Sequence, residues 1–69
     1  MASFRERLRE LRNARKLSQA AAAQQMQIGS RTYQYYESGE REPQLSALVR
    51  MADFYDVSLD YLAGRTDRR

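Results

Sequence analysis

Residues 17–43 read LSQAAAAQQMQIGSRTYQYYESGEREP and carry the clearest signals for secondary structure in the chain. Ser18 is suited to precede a helix, because its hydroxyl can accept a hydrogen bond from a backbone N–H of the first turn. Four consecutive alanines at 20–23 favour the helix that follows, since alanine has the highest helix propensity. A second helix is predicted over about 30–38, and Gly39 ends it because glycine adopts left-handed backbone angles without strain. The segment therefore predicts two short helices joined by a tight turn.

Another helix is predicted before this segment. Ser3 and Glu6 can form a capping box, in which each side chain accepts a hydrogen bond from the other residue's backbone N–H. Phe4, Leu8 and Leu11 follow at spacings of four and three residues, so they share one face of a helix. We therefore expect a helix that starts at Ser3 and buries this face.

Two more helices are predicted after Pro43, which closes a polar loop. The fourth helix carries an apolar stripe that repeats at helical spacing: Leu45, Leu48, Met51, Ala52 and Tyr55. Ser58 is suited to cap a short fifth helix that precedes Gly64. The apolar side chains of that helix are Leu59 and Leu62.

The fold class follows from these segments. Apolar residues recur at helical spacing and alternation of period two is not sustained, which predicts an all-α fold of five helices. The length of 69 residues fits one domain, 1–69, with an ordered core over about 3–64 and a charged tail, 65–69, that frays. The residues predicted to be buried are Leu8, Leu11, Ala23, Ile28, Tyr36, Leu48, Ala52 and Leu62.

The composition excludes several kinds of site. The chain has no cysteine and no histidine, so disulfides and the usual zinc sites are excluded and we expect no cofactor and no metal. It also lacks a glycine-rich phosphate loop and the volume for a deep pocket, so we expect neither an enzyme nor a small-molecule ligand. It shows no signal peptide and no membrane-spanning apolar run, which predicts a soluble cytoplasmic protein with no membrane partner.

The charges are unevenly distributed, although the net charge is only +3. Residues 1–16 hold six cations against two carboxylates, whereas residues 44–64 hold one cation against three. Such asymmetry can orient a protein on a polyanion such as a nucleic acid. The alternative is that the charges only solvate the outer faces of the helices, and the charge pattern alone does not separate the two interpretations.

Four short motifs occur together at characteristic separations: Leu17-Ser18-Gln19, Tyr36-Glu37-Ser38-Gly39, Arg41-Glu42-Pro43 and Val57-Ser58-Leu59-Asp60-Tyr61-Leu62. On these motifs the sequence resembles the Cro and repressor-type helix-turn-helix regulators of phages and bacteria, over residues 4–65. The resemblance implies a lambda-repressor-like domain in which helices 2 and 3 form the helix-turn-helix. It further implies a repressor that binds a palindromic operator in double-stranded DNA as a dimer, with helix 3 in the major groove, and that is nucleoid-associated when bound.

The outward face of helix 3 supplies the candidate base-contacting residues. Arg31 can bind the O6 and N7 atoms of a guanine together. Ser30 and Gln34 have a shorter reach, and Tyr35 could either lie against a thymine methyl group or donate to a phosphate. The alternative is a solvated helix face without a ligand.

The candidate phosphate contacts flank that face. Gln19 lies in the first turn of helix 2, where free N–H groups attract a phosphate, and the resemblance implies a phosphate-binding glutamine there. The alternative interpretation is that Gln19 is an ordinary exposed residue at the start of a helix. Thr32 and Ser38 can reach the DNA backbone, as can Arg41, which could instead pair with Glu40 or Glu42.

The resemblance also assigns structural and assembly roles. It implies an ion pair between Arg12 and Glu37 that holds helix 3 against helix 1, the alternative being Arg12 on a phosphate with Glu37 solvated. It also implies a weak homodimer, strengthened on DNA, formed through Val57, Leu59 and Tyr61.

The sequence departs from the family pattern at three positions. Ala22 replaces a large aliphatic residue and Tyr33 replaces a β-branched one, which suggests a volume-conserving exchange between helices 2 and 3. Gln27 stands where glycine is usual, at a cost of about 1 kcal/mol unless Gly29 makes the sharp bend.

A protein-interaction module of the same fold, of the antitoxin or coactivator type, is the alternative function. An apolar outer face on helix 4 or 5 would favour it, whereas Arg50, Asp53 and Asp60 are expected to be exposed there.

Overall fold

The computed structural model describes residues 2–69 and contains α1 (Phe4–Ala14), α2 (Gln19–Gln25), α3 (Ser30–Ser38), α4 (Leu45–Tyr55) and α5 (Leu59–Leu62). No strand occurs between residues 2 and 69, and the prediction of an all-α, five-helix fold is confirmed. α3 packs against both α1 and α2, while α5 packs against α1 and α4. None of the helices in this range has the length and apolar character that crossing a membrane requires.

Local hydrogen bonds define the helix ends at the predicted positions. The Glu6 carboxylate accepts from the Ser3 N–H at 3.1 Å before α1. The Ser18 hydroxyl accepts from the Ala21 N–H at 3.0 Å, and Ser58 caps α5 in the same way. Gly39 ends α3 with φ +87°, the left-handed conformation. These ends depend on residues close in sequence, which is why they can be read from it.

The core lies between the inward faces of the five helices. Its buried apolar residues are Leu8, Leu11, Ala22, Ala23, Met26, Tyr33, Tyr36, Met51, Ala52, Tyr55 and Leu62. Ile28 and Leu48 were predicted to be buried but are only half-buried and pack at the edge of the core. Leu45 belongs to the apolar stripe predicted for helix 4, yet it is 70% exposed. It lies in the first turn of α4, and since Leu48 one turn later is only half-buried, this end of the helix extends past the core.

The two unusual core positions are both fully buried. Ala22 in α2 and Tyr33 in α3 have no exposed surface, in agreement with an exchange of small and large side chains between the helices. The exchange introduces the hydroxyl of Tyr33 into the core, beside that of Tyr55 on α4. Both hydroxyls are buried without a hydrogen-bond partner among the described residues. Burial raises the pKa of both hydroxyls, so both stay neutral.

The turn between α2 and α3 bends at Gln27 and not at Gly29. Gln27 has φ +59°, whereas Gly29 has φ −57°. The guanidinium of Arg50 donates to the Gln27 carbonyl oxygen at 3.2 Å and to that of Met26 at 3.4 Å. A cation at the end of a helix interacts favourably with its carbonyl groups. Arg50 on α4 therefore supports a turn that lacks the usual glycine.

Gln27→Gly is expected to raise the free energy of unfolding by about 1 kcal/mol, because glycine adopts this left-handed conformation without the steric cost that a Cβ atom brings. Gln25→Gly is the matched control: Gln25 is an exposed residue of α2, and we expect the same substitution there to destabilise by about 1 kcal/mol. Urea unfolding of both variants measures the two changes. Equal destabilisation at the two positions would contradict the strain assigned to Gln27.

The tail over residues 65–69 differs from the frayed segment expected. Arg7 is only 4% exposed, and its guanidinium donates to the Asp67 carboxylate at 2.8 Å and to the Thr66 carbonyl at 3.1 Å. The backbone N–H of Ser58 donates to the Arg69 carbonyl at 2.9 Å. A buried guanidinium needs acceptors, and the tail supplies two of them, so Thr66 and Asp67 contact α1 although most of the tail is exposed.

Candidate nucleic-acid interface

α3 has one face in the core and the other toward solvent. Tyr33, Tyr36 and Glu37 are buried, whereas the four predicted base-contacting residues lie on the other side of the helix. Of these four, Tyr35 is half-buried, and the other three are exposed: Ser30, Arg31 and Gln34. Between residues 2 and 69 the Arg31 guanidinium has no salt bridge, so its donors remain available to a ligand.

Arg41 lies over the ring of Tyr35. Its guanidinium carbon is 4.9 Å from the ring centroid, a cation–π geometry, and its backbone N–H donates to the Tyr35 carbonyl at 3.3 Å. No salt bridge joins Arg41 to Glu40 or Glu42 within residues 2–69. The contact holds the loop after α3 against the exposed end of that helix.

Arg12 and Glu37 form a two-bond ion pair between α1 and α3. The Arg12 Nε atom donates to Glu37 Oε2 at 2.6 Å, and Nη2 donates to Oε1 at 3.0 Å. A third donor of Arg12 binds the Leu17 carbonyl at 2.9 Å, just before α2. The Glu37 side chain is 3% exposed, so its negative charge is stabilised by protein groups and not by water.

Gln19 joins the same network. Its side-chain amide donates to Glu37 Oε1 at 3.1 Å, which ties the first turn of α2 to α3. Burial alone would raise the pKa of Glu37, but the hydrogen bonds from Arg12 and Gln19 outweigh it and hold the pKa below its ordinary value of 4.5. The carboxylate is therefore ionised at neutral pH.

A groove of about 430 Å³ runs beside this network, between α1, the start of α2 and the end of α3. It brings together several of the residues predicted from the sequence, and its lining is Arg9, Arg12, Gln19, Gln34, Tyr35, Glu37, Ser38 and Glu40. Arg31, Thr32 and Arg41 do not line the groove. Thr32 is half-buried in the first turn of α3. Ser38 lies at the rim, where its hydroxyl donates to the Tyr35 carbonyl at 3.1 Å.

Two residues near this face were missed by the sequence reasoning. Arg9 precedes Arg12 by three residues, so the helical period could have placed both on one face of α1. Arg5 donates to the Ser38 carbonyl at 3.1 Å, at the C-terminal end of α3 where a cation is favourable. No spacing links Arg5 to Ser38, which lie 33 residues apart.

The predicted dimer residues are only partly accessible. Leu59 is 38% exposed and Val57 is half-buried. The ring of Tyr61 lies below two guanidinium groups, with Arg7 at 3.9 Å and Arg69 at 5.5 Å from its centroid. The tail thus covers part of the surface to which the resemblance assigned dimerisation.

The sequence was compared with those of known proteins. A family model described as helix-turn-helix matches residues 8–62. The chain is 44% identical over 62 residues to YobD, an uncharacterised HTH-type transcriptional regulator of Bacillus subtilis. It is 41% identical over 62 residues to RstR, a cryptic phage CTXphi transcriptional repressor of Vibrio cholerae. Both matches cover 90% of this chain and 55% of the relative, so the chain spans about half the length of these curated relatives.

A solved structure is similar as well. The crystal structure of a transcriptional regulator from Listeria innocua matches with a TM-score of 0.84 and 33% identity, over 93% of this chain and 60% of that one. Together the matches confirm the resemblance to Cro and repressor-type helix-turn-helix regulators. That family is a non-enzymatic, DNA-binding one, so the expectation that the chain is not an enzyme is also confirmed.

Proposed function

This chain belongs to the helix-turn-helix family, and from that membership we propose that it regulates transcription by binding specific sequences in double-stranded DNA, as a repressor. One observation carries the proposal: α3 presents exposed polar side chains such as Arg31 and Gln34 along one face, while its opposite face is anchored in the core. An exposed polar helix on a rigid scaffold fits the major groove of B-DNA. The protein then acts in the cytoplasm, on nucleoid DNA.

Base reading is assigned to the exposed face of α3. Arg31, whose guanidinium has no salt bridge between residues 2 and 69, binds the O6 and N7 atoms of a guanine. Ser30 and Gln34 contact neighbouring base edges. Tyr35 has Arg41 over its ring, so its ring edge and hydroxyl remain to meet a thymine methyl group or a phosphate.

Backbone contacts are assigned to polar groups around that face. Gln19 gives one amide hydrogen to Glu37 and keeps the other for a phosphate oxygen. Thr32, Ser38 and Arg41 contact phosphates on either side of α3. Such contacts set the register of the protein on the duplex and carry no sequence information directly.

Dimerisation is assigned to the α5 region, through Val57, Leu59 and Tyr61. Because Arg7 and the tail residue Arg69 cover the ring of Tyr61, little apolar surface is exposed in the α5 region. Association without DNA is therefore weak, with an interface well below about 1,200 Å². On a palindromic operator the two copies of α3 lie about 34 Å apart along one face of the DNA.

Selection of bound duplexes from random DNA, followed by footprinting on the selected site, tests the proposal. We expect one enriched sequence with two inverted half-sites whose centres lie about 10 base pairs apart. Sedimentation without DNA is expected to show mostly monomer at micromolar concentration. A footprint confined to one half-site would contradict the dimer, and the absence of any enriched sequence would contradict sequence-specific binding.

A protein-interaction module is the second candidate, and exposed apolar residues on α4 favour it. Leu45 is 70% exposed and Val49 is 38% exposed, and as residues four apart they share one face of the helix. Arg50, Asp53 and Asp60 are also exposed, so the outer surface of α4 and α5 is mixed in character. Retention on heparin separates the two functions: a DNA-binding chain is retained at moderate salt, whereas an adaptor elutes early.

A further inference from the structure

Most cations of the N-terminal segment make contacts with other groups of the protein. Residues 1–16 carry six of them, and four make internal contacts: Arg5 with the Ser38 carbonyl, Arg7 with the tail, Arg12 with Glu37, and Arg15 with the rings of Phe54 and Tyr55. Between residues 2 and 69, Arg9 and Lys16 have no such contact. The basic excess of this segment therefore supplies far fewer free cations than its sequence suggests.

Of these two cations, only Arg9 lines the groove beside α3. Arg12 and Glu37 also line it, but they are bound to each other and their charges cancel. The charged residues of the groove that remain unpaired are Arg9 and Glu40. Both are exposed, and neither has a salt bridge within 4.0 Å in the described part of the chain. Arg9 is therefore the cation that balances the negative charge of Glu40 in the groove.

We propose that Arg9 contacts a DNA phosphate at the rim of this groove and offsets the charge of Glu40, an inference that rests on the proposed function of DNA binding. The same groove is also lined by polar residues without a formal charge, namely Gln19, Gln34, Tyr35 and Ser38. A phosphate that approaches them meets the exposed carboxylate of Glu40, because the charge of Glu37 is cancelled by Arg12. Arg9 is the groove cation that is not already paired. In this arrangement α1, and not only the helix-turn-helix, adds a charged contact to the interface.

The salt dependence of binding tests this role. Each cation placed on a phosphate releases counterions, so Arg9→Gln is expected to weaken binding to specific and nonspecific duplexes alike and to reduce the slope of log K against log salt by about 0.9. Glu40→Gln removes the opposing charge and is expected to tighten binding. That gain should shrink as salt rises toward about 1 M, where charges are screened within about 3 Å.

Arg68→Gln is the matched control. It removes the same charge from the tail, which contacts Arg7. Residues two apart in a helix point about 200° apart, so Arg7 and Arg9 lie on opposite sides of α1. The tail is therefore on the side of α1 opposite to Arg9. The proposal is supported if Arg68→Gln has the same affinity and the same salt slope as the unchanged protein, while Arg9→Gln has a lower affinity and a smaller salt slope. If Arg9→Gln matches Arg68→Gln while the unchanged protein still binds DNA, the role of Arg9 is overturned and the proposed function stands. If the unchanged protein binds no duplex, both are overturned.

Discussion

Replacing Arg12 with alanine is expected to lower the free energy of unfolding by about 3–5 kcal/mol, because it leaves a buried carboxylate without its cation. Glu37 is 3% exposed and receives two of its hydrogen bonds from Arg12, at 2.6 and 3.0 Å. The loss is a large share of the stability of a domain of this size, about 0.05–0.15 kcal/mol per residue. Thermal unfolding measures it, and the midpoint should fall by more than about 10 °C.

Arg9→Ala is the matched control for this change, since it removes an exposed arginine from the same face of α1 and should alter stability by less than about 0.5 kcal/mol.

The pH dependence of stability gives a second test of the Arg12–Glu37 pair. The pKa of Glu37 is lowered in the folded protein, so its contribution is present above the ordinary value of 4.5 and is lost as the pH falls through the lowered pKa. In Arg12→Ala burial instead raises the pKa of Glu37, so the two proteins should converge in stability in acid. An unchanged midpoint at neutral pH would mean that the pair contributes nothing to stability.

Arg31→Ala is expected to cost about 1–3 kcal/mol of binding free energy on the selected operator and much less on operators already altered at the base pair that Arg31 reads. Arg31 lies in the first turn of α3, and between residues 2 and 69 no salt bridge restrains its side chain. Titration of the variant against the operator and a set of single-base mismatches gives the difference directly. If the variant weakens every sequence by the same factor, Arg31 is a backbone contact and another residue reads the base.

Variants of two proposed phosphate contacts, Gln19 and Arg41, are compared with Arg31→Ala. Gln19→Ala is expected to weaken binding to every sequence by a similar factor with little change in salt dependence, because an uncharged amide releases no counterions. Arg41→Ala should flatten the salt slope by about one unit. Its loss also removes the cation over the Tyr35 ring, a contact within the protein that releases no counterions, so the salt slope reports on the phosphate contact alone. A salt slope that stays unchanged in Arg41→Ala would show that Arg41 serves Tyr35 and not a phosphate.

The elements that could be predicted from the sequence are those governed by neighbouring residues. Ser3, Ser18 and Ser58 precede α1, α2 and α5 as expected, because a cap is a hydrogen bond across about three residues. Gly39 ends α3 for an equally local reason. The outward position of Ser30, Arg31 and Gln34 follows from the helical period once Tyr33 and Tyr36 are assigned to the core. Local sequence therefore determines the fold class and the exposed face of α3.

Contacts between residues far apart in the chain could not be read in this way. Arg7 and Asp67 are separated by 60 residues, and their contact holds a tail that composition alone predicts to fray. Arg50 supports the bend at Gln27 across 23 residues, so the glycine at 29 is not needed for it. The same kind of contact separates the N-terminal arginines into those that hold the fold and Arg9, which faces the groove. Spacing along one helix shows which side chains share a face, but only the packing of helices on one another shows which acceptors each arginine meets.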